Sequence, residues 1–253
     1  IVVYGKIGKE GKKGIGKGKT IGEAVNTTRT LSNTPGGEMT PQLFAKEIQK
    51  AARDTKVRIR VLGRREIQML KMGGVLGVSQ GSPEEPQFII AEYFGGGRKE
   101  QPIVLVGKGV TFDTGGLNVK PGDAMNEMHM DMSGGAAVLL AVVLAAKLGL
   151  KRNVVALVPA VENMPSGSSY RPGDILRTMA GKTIEVLHTD AEGRIILADA
   201  LTYAKKYRPR LVVDVATLAG ATMAALGQRA SALYTRDEKL EKLFRQLGEE
   251  SGD

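Results

Sequence analysis

Apolar and polar positions along the chain alternate between helical and strand-like patterns. From residue 21, "IGEAVNTTRTLSN" reads as a helix broken by "TPGGEMTP", and "TPQLFAKEIQKAARD" reads as a second helix opened by Thr-Pro. A strand, "KVRIRVLG", follows, then a short helix, "RREIQMLKMG". "QFIIAEYFGG" predicts a strand, and the continuous apolar run of "QPIVLVGKG" predicts a more fully buried one. Beyond a long loop, "SGGAAVLLAVVLAAKLGL" is a small-residue helix apolar nearly all round, and "NVVALVPAVE" is another interior strand. The order then repeats: "KTIEVLHTD" as strand, "AEGRIILADALTYAKKY" as helix, "RLVVDVATLAG" as strand and "DEKLEKLFRQLGEE" as a final amphipathic helix.

Strands alternating with helices predict an α/β fold, a three-layer α/β/α sandwich around a mixed, largely parallel sheet. In such sheets functional loops gather beyond the carboxyl ends of the strands. Lys108, Asp113 and Lys120 follow the strand "PIVLV", Asp131 precedes the small-residue helix, and Asp190, Glu192 and Arg194 follow "TIEVL". If those two strands are neighbours, all seven side chains face one cleft. Locally, "HTDAEGR" also fits a capping box in which Thr189 and Glu192 each satisfy an orphan N–H at the helix start.

Composition narrows the chemistry. In 253 residues, 42% hydrophobic and 25% charged, there is no cysteine, so disulfides, thiolate zinc sites and cysteine nucleophiles are excluded and a reducing, cytoplasmic setting is expected. The two histidines, His129 and His188, leave little for imidazole chemistry, and both are read as structural. No run of 18 apolar residues and no signal-peptide pattern is seen, so no membrane role is expected. Much of the net charge of +9 sits in "IVVYGKIGKEGKKGIGKGKT". This segment, 1–20, is expected to be a flexible basic linker or the remnant of an amino-terminal domain, and its "GKGKT" lacks the spacing of a phosphate loop.

Four carboxylates converging on one cleft repel one another unless compensated. Two divalent cations would balance them, and such a pair can polarise a carbonyl, activate water and stabilise an oxyanion. A lysine ligates a metal only as a neutral amine, while a second, protonated lysine can polarise a substrate carbonyl. Arg194, with its planar fork, suits a bound oxyanion.

The motifs "NTPGGEMTP", "VGKGVTFDTGGLNVKP", "MHMDMSGGAA", "TDAEGRIILADAL" and "DVATLAGA" resemble, in order and spacing, those of the cytosol (leucyl) aminopeptidase family, over residue 21 to the end. The resemblance implies that Lys108, Asp113, Asp131 and Glu192 hold one metal. Asp113, Asp190 and Glu192 hold the other, with the Asp190 carbonyl contributing, and the ions are Mn or Zn, with Mg or Co as alternatives. Lys120 and Arg194 match the catalytic lysine and arginine, the latter cradling bicarbonate. Met128, Thr217 and Gly220 match positions near the substrate, while His188 and His129 stand where asparagine and arginine are usual. The implied function is removal of amino-terminal residues, leucine and similar, from peptides by a homohexamer, with DNA binding as the rival role. The family pattern further implies that 21–253 is a catalytic domain lacking its carboxyl-terminal portion.

Overall fold

Side chains that alternate along the apolar strands separate onto two faces of one sheet. Its strands are β1 (Arg58–Leu62), β2 (Gln87–Phe94), β3 (Ile103–Gly107), β4 (Gly109–Asp113), β5 (Asn153–Asn163) and, after a separate hairpin of β6 (Ile175–Arg177) and β7 (Thr183–Glu185), β8 (Leu211–Val215). This is a computed structural model, which describes residues 5, 7–97 and 99–252. The sheet order is β1-β2-β5-β3-β8, with β4 pairing β5 as well. β1 with β2 and β2 with β5 are antiparallel, whereas β3 with β5, β3 with β8 and β4 with β5 are parallel.

The helices are α1 (Lys9–Asn33), α2 (Pro41–Ala51), α3 (Arg64–Met69), α4 (Gly73–Val78), α5 (Ser133–Lys147), α6 (Glu192–Ala204), α7 (Ala221–Leu226) and α8 (Glu238–Ser251). Phe88 and Ile90 of β2 and Val155 and Leu157 of β5 join Val75 of α4 and Ile196 of α6 in one core. The intervening Ile89, Ala91, Ala156 and Val158 join Phe44 and Ile48 of α2 and Leu139 of α5 in the other. The period of two along each strand thus feeds two apolar layers, and helices cover both faces, as the three-layer reading expects. The stretch 122–147 is long and apolar enough to cross a membrane by length and composition alone. Its helix α5 instead buries Val138, Leu139, Val142 and Val143 in the protein.

Several elements depart from the sequence expectation. Within the basic segment, residues 1–4 and 6 lie outside those described, and from Lys9 the chain is helical, continuous with the helix expected from residue 21. Only Leu31 and Ser32 of α1 are buried, so its carboxyl-terminal end supplies the anchor. Once a helix is nucleated, extension needs no further nucleus, which carries it through a glycine-rich stretch with little to bury. "GGVLGV" forms α4, in a stretch given no element from the sequence, and "GVTFD" forms β4, within the long loop expected from the sequence. The "TIE" strand is not in the main sheet; it pairs with β6. By chain contacts Ile1–Ala216 form one unit and Thr217–Asp253 a second, which contains α7 and α8, the latter capped by the Asp237 carboxylate.

Candidate metal centre

The carboxyl ends of β3, β4 and β5 carry the polar residues. Lys108 falls between β3 and β4, where its N–H bonds the Val215 carbonyl and its own carbonyl accepts from the Gly135 N–H at 2.7 Å. That contact needs the glycine pair opening α5, since a Cβ on Gly134 would lie 2.2 Å from the Val215 oxygen and one on Gly135 2.8 Å from the Lys108 oxygen. The close approach sets Asp131, just before α5, against the lysine. Lys108 Nζ lies 2.7 Å from Asp131 Oδ2 and 2.8 Å from Glu192 Oε1, the first residue of α6, and all three side chains are buried.

Lys120 makes the second bridge, 2.9 Å from Asp113 Oδ2 at the end of β4 and 2.5 Å from Asp190 Oδ1. Oxygens of Asp113, Asp190 and Glu192 all lie within 4.8 Å of one another. Six of the seven expected residues therefore converge, although the "TIE" strand is not the neighbour that the cleft argument assumed. Arg194 lies two residues along α6 from Glu192 and is exposed, and Met128, in a 3-10 turn before Asp131, is half-buried. Thr217 and Gly220 belong to the second unit, where Gly220 precedes α7.

The turn holding Asp190 is fixed by hydrogen bonds. Thr189, fully buried, donates Oγ1–H to the Gly115 carbonyl at 2.6 Å and accepts the Asn118 N–H at 2.8 Å, while its own N–H bonds Asn118 Oδ1 at 2.8 Å. The expected capping box is thus absent: the threonine hydroxyl is spent on the loop after β4, and Glu192 on Lys108. His188 caps this turn instead, Nδ1 accepting the Asp190 N–H at 3.2 Å, in line with a structural role.

Electrostatics decide what the cluster can hold. Burial works to lower the pKa of Lys108, but the charges of Asp131 and Glu192 and their hydrogen bonds outweigh it, so the value is raised. At Lys120 burial is likewise overcome by the hydrogen bonds it donates to Asp190 and Asp113 and by their charges. Glu192 is pushed up by burial first, against the opposing pull of Lys108 and with the Asp113 charge adding to it. Two ammonium groups face four carboxylates, so half of the negative charge is left uncompensated. Glu192 Oε2 is also buried with no hydrogen-bond partner among the described residues, a costly arrangement unless a cation takes that oxygen. Oxygen donors with one amine nitrogen fit hard or borderline divalent ions.

Sequence reasoning did not single out Asn163 and Tyr170. Asn163 ends β5 and is wholly buried; its Nδ2 donates to Asp113 Oδ1 at 2.8 Å and to the Thr189 carbonyl at 3.1 Å. The Tyr170 hydroxyl donates to that carbonyl too. The available signal was a polar residue closing an interior strand at the sheet's carboxyl end.

The chain is similar to known proteins over most of its length. A probable cytosol aminopeptidase of Paraburkholderia phymatum is 47% identical over 245 residues, 97% of this chain and 49% of its own. One of Ralstonia nicotianae is 49% identical over 237 residues, covering 94% and 47%. The chain thus spans about half the length of the curated relatives it matches. Among solved structures, the bottromycin maturation enzyme BotP, also determined in complex with Mn, superposes with a TM-score of 0.90 at 38% identity, over 97% of this chain and 53–54% of BotP. The profile of the cytosol aminopeptidase family's catalytic domain matches residues 26–253, which takes in every lysine and carboxylate of the cluster, and the chain belongs to that family.

Proposed function

We propose that this chain carries the catalytic centre of a two-metal aminopeptidase that removes amino-terminal residues, leucine and similar, from peptides. The observation that carries the reading is the cluster of buried Lys108, Asp113, Asp131 and Glu192 with half-buried Asp190, whose carboxylate charge exceeds that of the lysines facing it. Lys108, Asp113, Asp131 and Glu192 would hold one ion, and Asp113, Asp190 and Glu192 the other. Divalent ions such as Mn or Zn, with Mg or Co as alternatives, supply Lewis acidity toward a peptide carbonyl and toward water.

The chain's own groups divide the remaining work. Lys108 must give up its proton to offer an amine lone pair, so metal uptake releases acid. Lys120 keeps its proton, because the hydrogen bonds of Asp190 and Asp113 outweigh its burial, and as a cation it can polarise the carbonyl of the bond to be cleaved. Arg194, exposed at the start of α6, presents a fork suited to bicarbonate, which would take a proton as general base. Met128, Thr217 and Gly220 are assigned to the substrate side. Assembly as a homohexamer and a cytoplasmic location belong to the same reading.

The test is hydrolysis of a panel of aminoacyl amides, with and without added Mn or Zn. Metal-dependent release that is fastest for leucyl and similar substrates is expected. A chain that binds DNA in a salt-dependent way and cleaves none of the panel after reconstitution would replace the enzyme with a binding protein.

A further inference from the structure

We propose that Asn163 is a positioning residue for the metal centre, a buried amide that ties Asp113 to the Thr189–Asp190 turn and so fixes how their donor oxygens face one another. The inference rests on the two-metal reading above and concerns a residue outside its ligand set.

The geometry separates this role from ordinary packing. The strand contact between β5 and β4 is already made by the Asn163 backbone, whose carbonyl accepts from the Thr114 N–H at 3.0 Å and the Thr114 hydroxyl at 2.7 Å. The side chain is therefore not needed for that contact. Asp113 Oδ1, which also takes the Gly115 N–H, and the Thr189 carbonyl both act as acceptors here, so the NH₂ end of the amide faces them. Its Oδ1 is consequently left buried and without a hydrogen-bond partner among the described residues, an arrangement that ordinarily destabilises the fold. A leucine of similar shape would avoid that cost, so holding the two acceptors in place is the effect that distinguishes the amide.

The consequence reaches both loops. Asp113 Oδ1 is held by the Asn163 amide and by the Gly115 N–H at 2.9 Å, which leaves Oδ2 as the oxygen turned to Lys120. On the other side, the Thr189 carbonyl accepts from both Asn163 and the Tyr170 hydroxyl, locking the peptide that leads into Asp190. Gly116, at φ +67°, lets the loop lie flush here, since a Cβ would stand 2.8 Å from Asn163 Oδ1. One amide thus sets the relation between a carboxylate at the end of β4 and the turn before α6.

The experiment titrates the 253-residue chain with Mn²⁺ alone and reads free Mn²⁺ by its electron paramagnetic resonance. Asn163→Leu, Tyr170→Phe and Val142→Ala are compared, the last being a core variant in α5 that controls for lost stability. Groups orienting metal ligands commonly alter affinity by about 10–100-fold. Asn163→Leu is expected to weaken Mn²⁺ binding by at least about tenfold, Tyr170→Phe by a smaller factor in the same direction, and Val142→Ala not at all. A cooperatively folded Asn163→Leu with affinity within about twofold of the parent would overturn the proposal. If Asn163→Leu does not fold, Tyr170→Phe decides: weaker binding than in Val142→Ala supports the clamp, and parental affinity overturns it. A parent that takes up no Mn²⁺ or Zn²⁺ removes the two-metal reading itself, a result distinct from unaltered affinity in a variant.

Discussion

Lys108 Nζ stands 2.8 Å from Glu192 Oε1, so the residue after β3 and the first residue of α6 meet inside the protein as a charged pair. Asp131 completes that pairing from the start of α5. A buried ammonium between two carboxylates gains its stability only while both kinds of charge are present, because removing one partner leaves the others desolvated and opposed.

The two lysines should therefore fail in different ways on substitution. Lys108→Ala removes a ligand and the cation between Asp131 and Glu192, so elemental analysis after mild dialysis should show it depleted of metal. Lys120→Ala should retain metal near the parent level and lose about 10²–10³ in turnover, the usual loss for one positioned electrostatic group. Equal metal content in the two variants would show that the roles are misassigned.

Metal should also stabilise the fold in its own right. A ligand present at a hundred times its dissociation constant contributes about 2.7 kcal/mol when it binds only the folded state. Added Mn or Zn is expected to raise the melting temperature of the parent, and a chelator to reverse the rise. Asp190→Asn should show a smaller rise, since it removes the charge of one of the three carboxylates whose oxygens lie within 4.8 Å of one another. A parent whose melting temperature ignores both metals would count against the centre.

How far the sequence disclosed this arrangement differs from element to element. In the main sheet β1, β2, β3, β5 and β8 announced themselves by apolar runs or alternation, and the lysines and carboxylates by residue type, motif order and their place after strands. β4 was missed because "GVTFD" is a short run with a glycine start and a charged end, and its β-strand hydrogen bonds come from β5 rather than from local preference. The capping box at Thr189 failed for a related reason. Its local pattern was correct, yet the tertiary partners Gly115 and Asn118 compete for the same hydroxyl and win. Asn163 carried only a weak signal, its place at the end of an interior strand: an asparagine there looks like a turn residue until Asp113 and Thr189 stand beside it.

Asp199 offers a test of the scaffold apart from the chemistry. Fully buried on α6, it accepts the Val75 N–H at 3.1 Å through Oδ2 and the Met179 N–H at 2.7 Å through Oδ1, joining the start of α4 and the segment after β6 to the helix that begins at Glu192. Asp199→Ala would strand the buried Val75 N–H and the part-buried Met179 N–H, at about 1–3 kcal/mol for each group cut off from water. A loss of about 2 kcal/mol or more in urea unfolding is expected, with a smaller loss for Asp199→Asn, which keeps an acceptor. Equal stability of the alanine variant and the parent would show that these donors find other partners.

The last prediction concerns pH and a carboxylate that the reaction does not use. Glu162 is buried near the end of β5, and burial raises its pKa above the ordinary 4.5, with the Ser82 hydroxyl opposing and the Glu84 charge adding to the rise. An acid held above its unfolded value binds its proton more tightly when folded, so folding is favoured more at low pH and less as that proton is lost. Below about 4.5 the group is protonated in both states and carries no penalty. Above the raised folded value it is ionised in both, and the penalty is complete. Glu162→Gln keeps an acceptor for Ser82 and never ionises. Relative to this variant, the parent should lose stability as pH rises from about 4.5 through the folded value, then run parallel to it. Urea midpoints across pH 4–8 measure the difference, and curves that stay parallel over the whole range would show that burial does not disfavour the Glu162 charge.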